Sequence, residues 1–168
     1  QDNPESSILV FLPGQGEITR ACAALTSWLS AQQKSDVQVC PLYGNLSLQA
    51  QQEAIAPVAL EGQRLGQRKV VLATNIAETS LTIEGVDIVV DTGLAREPVF
   101  DPGTGMTRLQ TRKISQAASV QRMGRAGRLR PGRCYRLWSE AQQQQLASQT
   151  SPEILNADLA PLALQLLS

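Results

Sequence analysis

Ile8-Leu9-Val10-Phe11-Leu12-Pro13-Gly14-Gln15-Gly16 decides the fold class of this 168-residue chain. Five consecutive apolar residues leave no polar side to turn towards water, which predicts a strand buried on both faces, as in parallel sheets. Pro13-Gly14 makes a tight turn. Ile18, Ala21, Cys22, Leu25, Trp28 and Leu29 then recur at helical spacing, predicting a helix from about Glu17 to Ala31 with these residues on its inner face. Strand, glycine turn and helix together suit phosphate binding. Neither standard nucleotide fingerprint is complete, however. Thr19 stands where a third glycine would finish GxGxxG, and no Gly-Lys-Ser/Thr occurs.

The same alternation continues outward. Val37 to Leu42 reads as a second strand, followed by Tyr43-Gly44-Asn45-Leu46 and a helix from about Ser47 to Ile55, stopped by Pro57. Glu61 to Gln67 reads as an exposed loop, Lys69 to Ala73 as a third strand, and Val86 to Asp91 as a fourth. Cys134 to Trp138 is the last strand, and Ser139-Glu140 caps a Gln-rich helix to about Ser148. Strands alternating with helices predict an α/β fold: a doubly wound, mainly parallel sheet with helices on both faces. One segment departs from that pattern. Arg96 to Phe100 and Met106 to Gln110 alternate in strand fashion around Asp101-Pro102-Gly103-Thr104-Gly105, predicting a protruding β-hairpin at about 95–111.

A hydrophobic content of 42% predicts a globular domain rather than disorder. No apolar run approaches membrane-spanning length, and the start of the chain carries no signal-peptide pattern. Cys22, Cys40 and Cys134 are far apart with no CxxC spacing, so no metal site or disulfide framework is indicated and a reducing, cytoplasmic setting is expected. The net charge is zero but unevenly spread. Arg108 to Arg136 holds nine of the fifteen basic residues and no acid, leaving six basic against fifteen acidic residues elsewhere, a net of −9. Such a block reads as one anion-facing surface, with phosphate as the anion.

Within that block lies Gln121-Arg122-Met123-Gly124-Arg125-Ala126-Gly127-Arg128. On a helix, Gln121, Arg125 and Arg128 fall within roughly 60° of one another, with Arg122 about a quarter-turn away. Two glycines weaken a helix by ~1 kcal/mol each, which suggests close approach to this backbone. A planar guanidinium fork matches phosphate oxygens, and a positioned Arg accelerates phosphoryl transfer by about 10³–10⁵. A Gln amide can orient an attacking water. The other notable string, Thr74-Asn75-Ile76-Ala77-Glu78-Thr79-Ser80-Leu81-Thr82-Ile83, is dense in small hydroxyls and an amide, groups that bind phosphate oxygens without adding charge.

These strings resemble a known family. Residues 121–128 are similar to motif VI of superfamily-two helicases in the QRxGRxGR form of the DEAH-box branch. Residues 74–83 resemble its motif V almost letter for letter, and Pro13-Gly14-Gln15-Gly16 resembles its motif IV. The run from Glu97 through Phe100, Asp101, Gly105 and Thr107 is most similar to the bacterial HrpB type.

The resemblance implies the second RecA-like domain of an ATP-dependent RNA helicase, at residues 8–149. Residues 1–7 are then a linker, and 150–168 open a winged-helix domain. It implies catalytic roles for Arg125 and Arg128 as arginine fingers and for Gln121 in placing water, with Arg122 holding local structure. Ser80 would sense the hydrolytic site, Glu84 would reach a ribose, and Ile55 would pack on the base. Gly14, Gly44, Thr74, Asn75 and Thr82 would contact the RNA backbone, and the hairpin would lie beside it. ATP with Mg²⁺ is the implied cofactor, its metal ligands on a first RecA-like domain that is also the implied partner. Single-stranded nucleic acid is the other partner, RNA more than DNA, and no membrane is involved. A non-enzymatic nucleic-acid adaptor and a DNA helicase of the same superfamily remain the alternatives.

Overall fold

The computed structural model of the protein describes residues 7–56, 68–79, 81–128, 131–152 and 165–166. β1 (Ser7–Phe11) is the central strand of a five-stranded sheet. β3 (Arg68–Ala73) flanks it on one side and β4 (Val86–Asp91) on the other. β2 (Val37–Leu42) lies outside β3, and β7 (Arg133–Arg136) outside β4. All four pairings are parallel. The expected linker ends one residue sooner than the sequence suggested. Ser7 is buried within β1 and donates its N–H to the Gly85 carbonyl, whereas positions 1–6 lie outside the described residues.

Helices cover both faces. α1 (Gln15–Ala31) lays Ile18 against Val70 and Leu72, with Ile8, Val10, Ala21, Cys22 and Leu25 around them. Trp28 does not join this face. It sits roughly 80° off the stripe's centre, is 52% exposed, and has the Lys34 ammonium 5.6 Å from its ring. On the opposite face Leu9, Phe11, Leu42, Val71, Ala73 and Val89 pack against Ala54 of α2 (Leu48–Ile55) and Ala77 of α3 (Ile76–Thr79). Ser47 caps α2 by accepting the Ala50 N–H. The buried Lys69 ammonium closes the other end of that helix by donating to the carbonyls of Glu53 and Ala56. The expected loop at 61–67 and Pro57 lie outside the described residues.

The hairpin is present, longer at both ends than expected: β5 (Leu94–Asp101) pairs antiparallel with β6 (Met106–Lys113) as a separate two-stranded sheet. Asp101 builds its turn by accepting from the Gly103 N–H and the Thr104 hydroxyl, while Gly105 takes a left-handed φ of 64°. Every residue of β6 is exposed. The hairpin root is packed into a small core of its own. Ala95 and Ile114 meet Ala118 of α4 (Gln116–Met123), Leu146 and Trp138. Ser139 and Gln142 cap the start of α5 (Glu140–Gln144) reciprocally, and the helix ends at Gln144 rather than near Ser148 as read from the sequence. The winged-helix expectation for 150–168 falls mostly outside the described residues.

One correction bears on function. The sequence reading carried the α4 helix through Arg128, but it stops at Met123 with Gly124 as its cap. Gly127 adopts a φ of 78°. Gly132 closes over it so tightly that an added Cβ would lie 2.4 Å from the Gly127 nitrogen. The glycines thus end the helix and fold the chain back on itself, a backbone role rather than room for a ligand.

Candidate functional site

Because the five strands run the same way, the loops that follow them share one rim, where open parallel sheets bind ligands. Hydrogen bonds to main-chain carbonyls stitch these loops together. Leu12 N–H donates to the Ala73 carbonyl at 2.8 Å, Thr74 N–H to Leu42 at 3.1 Å, and the Thr92 hydroxyl to Phe11 at 2.9 Å. Gly14, Gly44, Thr74 and Asn75 are brought to this rim. Gly44 is exposed with open space where a side chain would be. Gly14 is buried and caps α1, and Arg96 from the hairpin lies across it, 2.8 Å from the position of an added Cβ. Arg96 is held there by Glu17 at 3.3 Å. The backbone N–H at the helix start, then the guanidiniums of Arg96 and Arg20, hold the Glu17 carboxyl below its usual range.

Residues 74–84 lead from this rim to the other candidate surface, and Ser80 lies outside the described residues. Thr82 and Glu84 are exposed on either side of buried Ile83. Ile55 is half-buried against the main core. Leu81, next to Thr82, gives its carbonyl to Arg125 at 2.8 Å. Arg125 Nε also donates to the Glu78 carbonyl at 2.9 Å, and its Nη2 reaches the same oxygen. Burial, then the neighbouring Arg128 guanidinium, lower the Arg125 pKa, opposed by Glu78. An Arg stays charged at neutral pH regardless. What matters is that this one turn carries two cations, whose charge an anion placed there would neutralise. Arg128 and Gln121 are exposed.

Arg122 has a different fate from its neighbours. It is fully buried, with Nε 3.0 Å from Glu78 Oε2 and Nη1 2.8 Å from Asp91 Oδ1, and its guanidinium stacks 4.7 Å from the Phe11 ring. Asp91 also accepts the Gly93 N–H, and Arg122 donates to the Leu94 carbonyl, so this cluster ties β1, α3, β4, α4 and the hairpin root together. The expected single anion-facing surface is therefore not one surface. Its residues are divided between the exposed β6 strand, this neutralised interior, the Arg125–Arg128 turn and the edge strand β7. Sequence reasoning assigned Arg122 a structural role but missed its partners Glu78 and Asp91. An Asp closing the apolar run Ile88 to Val90 was the available signal, since a buried carboxylate demands a cation.

Among the described residues no cluster of three or more His, Cys, Asp or Glu could hold a metal, and no helix is long and apolar enough to cross a membrane.

The family model described as the helicase conserved C-terminal domain matches residues 1–130. The chain is 53% identical over 161 residues to the ATP-dependent RNA helicase HrpB of Escherichia coli K12, covering 96% of this chain and 19% of that protein. It is 44% identical over 163 residues to a putative DEAH-box ATP-dependent helicase, UM11114, of Mycosarcoma maydis, covering 96% of this chain and 10% of that one. Two crystal structures of Escherichia coli HrpB, described as a DExH-box NTPase and as a DEAH/RHA helicase, match with TM-scores of 0.81 and 0.82 at 53% identity. Each is matched over 96% of this chain and 19% of its own.

Proposed function

The chain belongs to the helicase conserved C-terminal domain family, and from that premise we propose that it is the second RecA-like domain of an ATP-dependent DEAH-box RNA helicase of the HrpB type. One observation carries the reading: the Arg125 guanidinium is held on the carbonyls of residues 78 and 81, with exposed Arg128 in the same turn, beside the segment that leads to the strand-end rim. A triphosphate brought against this turn by a first RecA-like domain meets both guanidiniums. The two guanidiniums then stabilise the charge that builds during phosphoryl transfer, and exposed Gln121 orients the attacking water. Glu84 reaches towards the nucleotide ribose and Ile55 offers an apolar edge to the base. The magnesium that accompanies ATP is held by groups of the first domain.

At the rim, Gly14, Gly44, Thr74 and Asn75 take the sugar-phosphate backbone of single-stranded RNA, with the hairpin alongside. Thr82 joins them from the far end of the same segment. Closure of the two domains thus couples hydrolysis to the grip on RNA.

The test is made in the full-length parent. Arg125→Ala and Arg128→Ala should each cut RNA-stimulated ATP turnover by about 10²–10⁵ while nucleotide affinity, read by fluorescent-analogue titration, changes little. Equal losses in turnover and affinity would make both residues ground-state anchors and end the finger reading. Stimulation by RNA but not by DNA of the same sequence distinguishes the RNA helicase from its DNA counterpart.

A further inference from the structure

We propose that Glu78 is the positioning residue for Arg125, a role that rests on the reading of Arg125 as a phosphate-facing group. Residue 78 holds two arginines at once. Its carboxylate is committed to buried Arg122 at 3.0 Å, and its main-chain carbonyl accepts from Nε and Nη2 of Arg125. The carboxylate side is only 16% exposed, and its partner is wholly buried and anchored a second time on Asp91. An ion pair of that kind resists movement, because shifting Glu78 breaks a charge-assisted hydrogen bond to a fully buried guanidinium. Residue 78 is therefore a fixed point, and the carbonyl it presents is fixed with it.

The guanidinium of Arg125 inherits that fixity. A guanidinium has five N–H donors in one plane. Three hydrogen bonds go to the carbonyls of residues 78 and 81, leaving two donors to meet phosphate oxygens. Their direction is set by the plane the two carbonyls define. Arg125 is long and flexible, and without this hold it would lose rotamer freedom on each encounter with a phosphate. Arg128 has no such hold among the described residues, so the two arginines divide the work: one preset, the other adaptable.

The experiment uses the full-length parent with Glu78→Gln, Arg125→Ala and the double variant. Glu78→Gln keeps the carbonyl and the side-chain size but removes the charge that Arg122 holds. Turnover should fall by ~10²-fold, the loss typical of a misplaced catalytic group, while KM for ATP stays unchanged. On the Arg125→Ala background the same substitution should have no further effect, because Glu78 acts through that arginine. An undiminished turnover in Glu78→Gln, or losses that multiply in the double variant, would overturn the inference. No loss of turnover in Arg125→Ala alone would instead remove the finger reading on which it rests. If thermal melts show that Glu78→Gln does not fold, Glu78→Asp serves in the same cycle. It keeps the charge but draws the pair one carbon shorter, and the same two results decide.

Discussion

At the residue scale, eight neighbouring positions have opposite fates. Arg122 and Arg125 are three apart in one string, yet one is the largest fully buried side chain among the described residues and the other lies on two carbonyls near the surface. The string's chemistry was legible in the sequence, because guanidiniums at that density have few uses. The partners that sort the arginines were not, since Glu78 and Asp91 lie 44 and 31 positions away. Removing one partner tests the burial: Asp91→Ala should lower unfolding stability by about 1–3 kcal/mol in urea titration, because Arg122 Nη1 and the Gly93 N–H both lose the acceptor they share while Glu78 still balances the charge. Cys22 gives a pH signature. Burial raises its thiol above the ordinary 9.0. The folded chain therefore keeps a proton that the unfolded chain releases. That contribution is complete below pH 9.0 and is lost as pH climbs through the raised folded value. Cys22→Ser should flatten the decline of unfolding free energy above pH 9.0.

At the element scale, strands were read more faithfully than helix ends. A buried strand announces itself by an unbroken apolar run, as Ile8 to Leu12 and Val70 to Ala73 do. The end of α4 depends on a backbone turn in which Gly127 is left-handed and Gly132 closes over it, information carried by tertiary packing. The hairpin root has a similar dependence. Gly93 has a φ of 74°, and an added Cβ would come within 2.8 Å of the Trp138 ring. Gly93→Ala should therefore destabilise by about 1–3 kcal/mol, visible as a lowered thermal midpoint. Trp138 should report the same change through its indole fluorescence, since its Nε1 donates to Gln143 at 2.8 Å and the ring is displaced with the root.

At the scale of the whole molecule, family membership and sheet topology agree with what the sequence foretold, while the division of the basic block into separate places did not follow from charge counting. The domain by itself carries neither GxxxxGK[ST] nor a DExH box. The isolated, folded chain should therefore show no ATP hydrolysis in a coupled-enzyme assay, and its RNA binding should weaken with salt at a slope near −0.7 per phosphate neutralised. The position of β1 has a further consequence, for biosynthesis. It is the middle strand of the sheet, yet it precedes every strand it touches: Ile8 waits for Val70, and Phe11 for Asp91. As the ribosome extends the chain, an apolar segment leaves the exit tunnel with both flanks unoccupied until about sixty to eighty more residues follow. At 5–20 residues per second that interval lasts several seconds, long enough for nascent-chain chaperones to engage β1 before its neighbours exist.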